Sequence, residues 1–520
     1  MAGGSAVSVR VRISEDSVAC ALGADDVARA LAAALAVRGL TADIVRVSAR
    51  GLYWLEPLLE VDTDAGSFGY GPVTDADIDS LLDAGLLQGG AHPLALGPVD
   101  ALPFLARQQR LVFARAGLIR PLSLDDYLES GGYAGLKRVL ETGEDAFIAE
   151  LEASGLRGRG GAAFPAHIKW QGVRAQGDTE RFVVCNADEG DSGAYADRML
   201  MEGDPYALLE GMTIAALCVG AEQGYVYVRS EYPHAIEKLK QAVAHAEAAG
   251  FLGEDIAGSG RAFRVEVRAG AGAYICGEES ALIESIEGKR GQVRARPPLP
   301  AVCGLFGKPT LVHNVLSLAS LPVIARDGGA AFYHFGRERS RGTLALTLAG
   351  CLRRCGLIET AFGPTLGELV DDFGGGAKMG RVKAVQVGGP LGAWLTVDDF
   401  DLPLDYEAFA ARGAILGHGS VVAVDEACDM AGMARLAFTF CAAESCGKCT
   451  PCRVGSVRGG EIVERLMAGS HHAADDVALL LELTDTLRDA SLCALGGMLH
   501  YPVRSAIEHF PDEFTGRDTR

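Results

Sequence analysis

The chain has 520 residues, 49% hydrophobic and 22% charged, which is long enough for about three or four domains with apolar cores. Its net charge of −20 argues against a nucleic-acid or anionic-membrane surface, since both ligands need a basic patch. The N-terminal residues lack an apolar signal segment, and the longest apolar stretch, 211–221, is too short to cross a bilayer. We therefore expect a cytoplasmic protein without a membrane span, in which the 13 cysteines are reduced thiols or metal ligands.

The predicted elements, taken in chain order, indicate an α/β protein with a helical end. Residues 1–118 form a small α/β unit, with strands predicted at 6–13, 42–49 and 58–64 and a helix at 24–39. After short amphipathic helices at 119–150, strands and helices alternate from residue 181, which predicts a mainly parallel sheet covered by helices. Short strands and glycine-rich turns at 341–425 predict a small β-rich module, and the rest is expected to be a helical bundle.

Three cysteines in seven residues are the strongest chemical signal. Cys446, Cys449 and Cys452 have the C-x2-C-x2-C spacing by which iron–sulfur proteins place three thiolates around a cubane, and Cys493 is the candidate fourth ligand. The alternative is a structural zinc ion, although such sites usually pair two C-x2-C hooks. The spacing favours a [4Fe–4S] cluster. The remaining cysteines, Cys441 among them, are expected to be mostly buried apolar residues.

Glycine-rich and acidic loops lie around the predicted parallel sheet. The segment GLRGRGGAAFP at 155–165 could bring backbone amides close to a phosphate or a flat ring, although a simple glycine turn explains it equally well. The segments 185–198 and 269–282 each follow a strand, at the edge where open α/β sheets bind ligands. Their acidic side chains could accept hydrogen bonds from ribityl and ribose hydroxyls, or could simply face solvent.

These motifs, together with GKPTLVHNV, ESCGKCTPCRVG and LCALGGM, occur in an order that resembles the flavin-carrying, NADH-oxidising subunit of respiratory complex I and its relatives in formate dehydrogenases and hydrogenases. The resemblance covers about 120–520. It implies FMN, NAD(H) as substrate and one [4Fe–4S] cluster held by Cys446, Cys449, Cys452 and Cys493. It implies FMN contacts at Gly158, Gly160, Gly161, Lys169, Asn186, Asp188, Glu189, Tyr274, Gly277, Glu278, Val312, His313, Asn314 and Ser317. It implies NAD(H) contacts at Phe164, Asp191, Glu279 and Arg296.

The same resemblance implies four domains. They are a thioredoxin-like domain without cluster cysteines at 1–118, an FMN- and NAD-binding α/β domain at 119–335, a ubiquitin-like module at 336–425 and a helical [4Fe–4S] domain at 426–520. A front domain of this kind that has a single cysteine, Cys20, is most similar to the beta subunit of soluble molybdenum- or tungsten-dependent formate dehydrogenases. The expected partners are an iron–sulfur small subunit and a large pterin-containing subunit. The alternatives are a diaphorase subunit of an NAD-reducing hydrogenase and a complex I subunit.

Overall fold

The structure is a computed structural model that describes residues 9–64, 66–177 and 179–515. The first predicted strand begins at residue 6, so its first three residues lie outside the described part of the chain. From residue 9 the strand is confirmed. The front region consists of β1 (Val9–Ser14), α1 (Ser17–Ala21), α2 (Ala24–Arg38), β2 (Ala42–Val47), β3 (Leu59–Thr63), β4 (Gly66–Tyr70), α3 (Ile78–Asp83), β5 (Ala95–Pro98) and α4 (Pro103–Ala106).

The front region is built on a mixed five-stranded sheet with the order β2-β1-β3-β4-β5. Strand β1 is parallel to β2 and antiparallel to β3, and α2 packs its apolar stripe on this sheet. The resulting core contains Val11, Val27, Leu31 and Val61. Residues 99–113 behave differently, because Val99 and Phe104 belong to the core of the later β-rich module and Phe113 to that of the central domain.

The central domain contains the predicted parallel sheet, with the strand order β8-β7-β6-β9 and parallel pairing throughout. Its interior is apolar because α10 is buried along its whole length between the sheet and the surrounding helices. The elements are α5 (Leu124–Glu129), α6 (Ala134–Thr142), α7 (Glu144–Ala153), α8 (Ala166–Arg174), β6 (Phe182–Ala187), α9 (Ala196–Gly203), α10 (Pro205–Val219), β7 (Gln223–Val228), α11 (Pro233–Ala248), β8 (Arg264–Ala269), α12 (Glu279–Ile286), α13 (Pro300–Cys303), β9 (Thr310–Asn314), α14 (Val315–Ala319), α15 (Leu321–Asp327) and α16 (Gly329–His334).

The β-rich module follows the central domain directly. A short hairpin, β10 with β11, precedes a mixed five-stranded sheet of order β13-β12-β16-β14-β15. Strand β16 is parallel to β12 but antiparallel to β14, so the last strand of the module lies in the middle of its sheet. The elements are β10 (Gly336–Arg337), β11 (Ser340–Arg341), β12 (Thr343–Gly350), β13 (Gly356–Ala361), β14 (Val382–Val387), β15 (Ala393–Leu395), α17 (Tyr406–Ala411) and β16 (Ser420–Asp425).

The C-terminal region is helical, as the sequence predicts. Helices α18 and α19 pack against each other, and α20 and α22 complete the bundle. Its apolar interior is continuous with one face of the central sheet, since Phe182 and Val184 of β6 belong to the same core as Phe438 and Val463. The elements are α18 (Met430–Glu444), α19 (Thr450–Met467), α20 (Ala473–Ala490), α21 (Ala494–Gly497), α22 (His500–His509) and α23 (Asp512–Thr515).

Candidate functional site

The glycine-rich segment forms a closed loop before α8. The backbone N–H of Gly158 donates to the carbonyl of Phe164 at 2.8 Å, which brings the two ends of the loop together. Gly161 has φ of +101°, a conformation that disfavours any residue with a Cβ. Gly160 lies so close to Asn314 that an added Cβ would approach its side chain to 3.1 Å. Without side chains at Gly158, Gly160 and Gly161, the backbone amides of the loop are open to close approach, and Phe164 is 44% exposed at its end.

Arg159, at the centre of this loop, is held from several directions. Its buried guanidinium donates to three backbone carbonyls, those of Arg157, Arg341 and Thr343. Its backbone N–H donates to Ser317 Oγ at 2.8 Å, and its carbonyl lies 2.8 Å from His418 Nδ1. The shape of the loop is therefore fixed by the protein itself. Neither Arg159 nor His418 is singled out by the sequence motifs.

The loops after β6 and β8 meet at the carboxyl edge of the sheet, as the sequence predicts. Asn186 Nδ2 donates to the carbonyl of Gly277 at 2.7 Å, and the Tyr274 hydroxyl donates to Asp191 at 2.8 Å. Asp188 is buried, and its Oδ2 has no hydrogen-bond partner among the residues that the structure describes. Burial raises the pKa of Asp188 to about 7. A buried carboxyl oxygen without a partner is costly, so this atom is well suited to a ligand hydroxyl group.

Two of the carboxylates that are predicted to contact a ligand form hydrogen bonds within the protein. Glu189 accepts from the backbone N–H groups of Asp197 and Arg198 at 3.0 Å each and from the Tyr232 hydroxyl at 3.1 Å. Glu278 is the N-cap of α12 and accepts from the N–H groups of Ser280 and Ala281. Each of these carboxylates thus already accepts from two amides at a helix N-terminus. Their contact with a ligand stays a prediction.

The cations at the pocket are also paired. Lys169 Nζ lies 3.1 Å from Glu279 Oε2 and donates to the carbonyl of Val312 at 3.2 Å. Arg296 forms ion pairs with Glu278 and with Glu279. Consequently the acidic edge of the pocket carries little free positive charge.

The end of β9 and the start of α14 lie beside the glycine loop. His313 is buried and accepts from Trp170 Nε1 at 2.9 Å, which requires an unprotonated Nε2. Burial and the nearby Lys169 lower the pKa of His313 to about 3, so this histidine is neutral. Asn314 accepts from the N–H and the hydroxyl of Ser317 and thereby caps α14. Of these side chains, Ser317 reaches the glycine loop, through Arg159.

The four predicted cluster cysteines lie together in the helical bundle. Cys449 is the N-cap residue of α19, Cys452 lies in its first turn, and Cys493 is the N-cap residue of α21. All four pack in or against the apolar core of the bundle. The positive end of a helix favours negatively charged groups, so the start of α19 is suited to thiolates at Cys449 and Cys452.

A fifth cysteine belongs to this neighbourhood. Cys441 is fully buried, and its Sγ lies 3.8 Å from Cys452 Sγ. The hydrogen bond between them lowers the pKa of Cys452 to about 6. The sequence prediction of a buried residue is confirmed for Cys441, but its contact with a cluster cysteine is visible only in the fold.

The loops at the carboxyl edge of the sheet and the cysteine group are joined by direct contacts. The backbone N–H of Tyr274 donates to Glu444 Oε2 at 2.9 Å, two residues before Cys446, and the Tyr274 and Phe440 rings meet edge to face. Lys448 Nζ donates to the carbonyl of Val293 at 2.7 Å. The two sites are thus neighbours in one framework, an arrangement that suits transfer of electrons between them.

The class of protein that combines this α/β region with four neighbouring cysteines in a helical bundle is identified by comparison with known families. The profile of the Nuo51 FMN-binding domain matches residues 151–323, and that of the iron-sulfur binding region of NADH-ubiquinone oxidoreductase-F matches residues 432–517. These matches decide between the cluster and zinc in favour of the cluster.

Two relatives show the family of the whole chain more closely. It is 43% identical over 409 residues to the NADP-reducing hydrogenase subunit HndC of Solidesulfovibrio fructosivorans, covering 78% of this chain and 83% of that one. It is 42% identical over 393 residues to a subunit of the NADH-quinone oxidoreductase of Rhizobium meliloti (strain 1021), covering 75% and 93%. The chain therefore belongs to the family of NADH-oxidising subunits that carry FMN and a [4Fe–4S] cluster.

A solved structure resembles nearly the whole chain. It is an NAD+-reducing [NiFe]-hydrogenase in the H2-reduced state, with a TM-score of 0.69 and 29% identity, and the match covers 98% of this chain and 84% of that one. The mixed α/β fold with a helical C-terminal region is therefore confirmed. Within residues 9–64, 66–177 and 179–515, no helix has the length and apolar character needed to cross a bilayer.

Proposed function

We propose that FMN binds in the pocket between the glycine loop and the two acidic loops. The observation that carries this placement is the buried Asp188 Oδ2, which has no partner among the described residues and lies beside Gly277. The glycine loop is linked to the same segment, because His418 contacts both the Arg159 carbonyl and Glu189. The direct contacts proposed are Gly158, Gly160, Gly161, Lys169, Asn186, Asp188, Tyr274, Gly277, Val312 and Asn314. The remaining proposed contacts are Glu189, Glu278, His313 and Ser317, whose polar side-chain groups also make hydrogen bonds within the protein.

The nucleotide is proposed to lie at the exposed rim of the same pocket. Phe164 offers an exposed aromatic ring for it, and Asp191, Glu279 and Arg296 are the polar groups proposed to contact it. NAD is favoured over NADP because Arg296 is already paired with two carboxylates and has little charge to offer a 2′-phosphate. We propose no acid–base residue, since the role of these side chains is to bind and orient the nucleotide.

The bound FMN would accept or donate a hydride and would exchange single electrons with the cluster. The chain's own residues hold the two groups in place. Cys446, Cys449, Cys452 and Cys493 are the proposed ligands of the cluster, and the Tyr274–Glu444 hydrogen bond holds the cysteine-bearing bundle against the flavin pocket. The chain would therefore act as a diaphorase, a subunit that passes electrons between the two-electron carrier NAD and one-electron carriers.

We further propose that the partner enzyme is a soluble, cytoplasmic formate dehydrogenase with an iron–sulfur small subunit and a large molybdenum- or tungsten-pterin subunit. The proposal is supported by the front region, which retains a five-stranded sheet and a core while its sequence has one cysteine before residue 185. A [2Fe–2S] cluster needs about four ligands, so this region is suited to docking rather than to carrying a cluster.

A hydrogenase is the second candidate. It is favoured by the likeness of 98% of the chain to an NAD+-reducing hydrogenase and by the similarity to HndC. In that case the same diaphorase would exchange electrons with a subunit that activates hydrogen.

Purification of the native complex tests the choice of partner. The complex isolated through a tag on this chain should contain a molybdenum or tungsten subunit and should reduce NAD with formate but not with hydrogen. The isolated chain should oxidise NADH with an artificial acceptor and should ignore formate. A nickel-containing partner with hydrogen-dependent NAD reduction would replace the formate assignment, whereas an isolated chain that oxidises formate would contradict the assignment of that reaction to a partner.

A further inference from the structure

His418 connects the β-rich module to the glycine loop of the central domain. It lies two residues before β16 and is buried. On one side, Nδ1 lies 2.8 Å from the carbonyl of Arg159. On the other side, Nε2 lies 3.2 Å from Glu189 Oε1 and 3.3 Å from Asp197 Oδ1. A single side chain from residues 336–425 thus bridges the loop and the segment that follows β6.

The contacts of His418 define its charge. A carbonyl oxygen and two carboxylates can only accept, so both ring nitrogens must donate and the ring is an imidazolium. Burial opposes this charge, but Asp197 and Glu189 raise the pKa of His418 well above its ordinary value. Burial also raises the pKa of Asp197, although His418 acts in the opposite direction.

The three side chains could be considered as metal ligands, because their ligand atoms lie within 4.8 Å of one another. Glu189 argues against this use. Its two oxygens already accept four hydrogen bonds, from the N–H groups of Asp197 and Arg198, the Tyr232 hydroxyl and His418. Four bonds fill the lone pairs of a carboxylate, so a cation would have to displace existing donors.

The arrangement fixes one peptide plane on each side of Arg159. Ser317 Oγ receives the Arg159 N–H, and His418 donates to the Arg159 carbonyl. That carbonyl belongs to the peptide that leads directly into Gly160 and then into Gly161 at positive φ. Glycine residues have no side chains of their own to hold them, so the orientation of their amides depends on such neighbouring contacts.

We infer that His418 is a positioning residue for FMN, which holds the Arg159–Gly160 peptide in the flavin-binding orientation and offsets the charge of Glu189 and Asp197 behind the pocket. The inference rests on the proposed placement of FMN at the glycine loop. It gives the β-rich module a role in FMN binding, because the module supplies the imidazolium that completes the binding loop of the central domain.

Two substitutions separate the two tasks of His418. In His418→Asn, the amide nitrogen can occupy the place of Nδ1 and keep the Arg159 contact without the positive charge. In His418→Gln, the amide nitrogen can reach the carboxylates but leaves the Arg159 carbonyl without its donor. His418→Gln loses the charge-assisted hydrogen bond to the Arg159 carbonyl, so we expect FMN binding to weaken by about tenfold. We expect a smaller loss of affinity in His418→Asn. The control is His472→Gln, in which the side chain is 82% exposed and lies far along the chain in the helical bundle.

The measurements are the dissociation constant of FMN, from quenching of flavin fluorescence during titration of the deflavinated chain, and hydrogen exchange of the amides at 157–164 before FMN is added. We expect faster exchange of these amides in His418→Gln, partial rescue in His418→Asn, and no change in the iron content of either variant. FMN affinity within twofold of the parent in both variants would overturn the inference. So would failure of both variants to fold, since His418 would then be required for the whole fold. A parent protein with a complete cluster but no affinity for FMN would instead contradict the placement of the flavin.

Discussion

The front region and the helical bundle lie at opposite ends of the chain, and they differ in how they are joined to the central domain. The core of the front sheet is made of residues from the front region alone. The core of the bundle continues into the central sheet, where Phe182 and Val184 pack in the same cluster as Phe438. The sequence places one cysteine in the front region, whereas five cysteines of the bundle, Cys441, Cys446, Cys449, Cys452 and Cys493, lie together. The bundle, which has the cluster cysteines, therefore shares its core with the central domain. The front region, which lacks them, has a core of its own.

The largest expected effect is the loss of the cluster, and it tests the assignment of all redox iron to the bundle. Cys449→Ser removes one of the four proposed ligands, so the iron content should fall from about four atoms per chain to nearly none, while most FMN stays bound. NADH should still reduce the flavin, but transfer to the natural partner should stop. Iron analysis together with electron paramagnetic resonance is the measurement.

Cys20→Ser is the matched control, because it changes the cysteine of the front region. It should leave the iron content and the resonance signal unchanged. A parent chain with about six irons and a second signal that disappears in Cys20→Ser would show that the front region does take part in holding a cluster, and the comparison between the two regions would no longer stand.

The second prediction concerns the joint between the pocket and the bundle. Glu444→Ala removes the acceptor of the Tyr274 N–H. Loss of a charge-assisted hydrogen bond of about 1.5 kcal/mol should lower the equilibrium constant for contact between the pocket and the bundle by about tenfold. Reduction of the cluster after rapid mixing with NADH should slow correspondingly, while reduction of the flavin itself keeps its rate. Glu444→Gln, which retains an accepting oxygen, should resemble the parent protein. Equal cluster reduction in Glu444→Ala and the parent would remove any role for this hydrogen bond in electron transfer.

Local spacing can be read from the sequence, whereas contacts across the fold cannot. The C-x2-C-x2-C run and the strand at 181–188 are local patterns, and both the grouping of the cysteines and β6 follow from them. Glu189 follows the same strand and is expected from the sequence to contact a ligand, and in the fold its carboxylate also accepts from two amides at the N-terminus of α9. These contacts depend on how α9 returns to the sheet, which no local pattern encodes.

The residues that connect separate regions cannot be predicted from the sequence, for the same reason. His418 is 259 positions from Arg159 and Glu444 is 170 positions from Tyr274, so neither pair leaves a periodic signal. The end of the front region is also difficult to place. Phe104 and Phe113 follow the last front strand in sequence, but they pack into the cores of the module and the central domain. Only the assembled sheets reveal where one core ends and another begins.

The smallest expected effect on electron transfer comes from Glu56, which should instead affect the stability of the front region. Its side chain is buried, Oε2 accepts from the N–H of Leu58 at 2.8 Å, and Oε1 has no partner. Burial, and then the charge of Asp16, raise the pKa of Glu56 from 4.5 to about 8. The folded protein therefore binds a proton that the unfolded chain releases near pH 4.5. The stability linked to this proton is fully present below pH 4.5 and is lost as the pH rises through about 8, by about 5 kcal/mol in total.

Glu56→Gln removes this dependence because the amide is neutral at every pH. The variant should match the parent near pH 4.5 and should be more stable at pH 8, as measured by the free energy of opening from hydrogen exchange of the β1 and β3 amides at a series of pH values. NADH oxidation and iron content should not change, since the front core is separate from that of the bundle. Asp64→Asn, at an exposed position between β3 and β4, is the control and should retain the parent's pH dependence. If Glu56→Gln also slowed cluster reduction, the front region would be coupled to the electron path despite its separate core. If the stability of Glu56→Gln fell with pH as steeply as that of the parent, the buried proton would have to be assigned to another group.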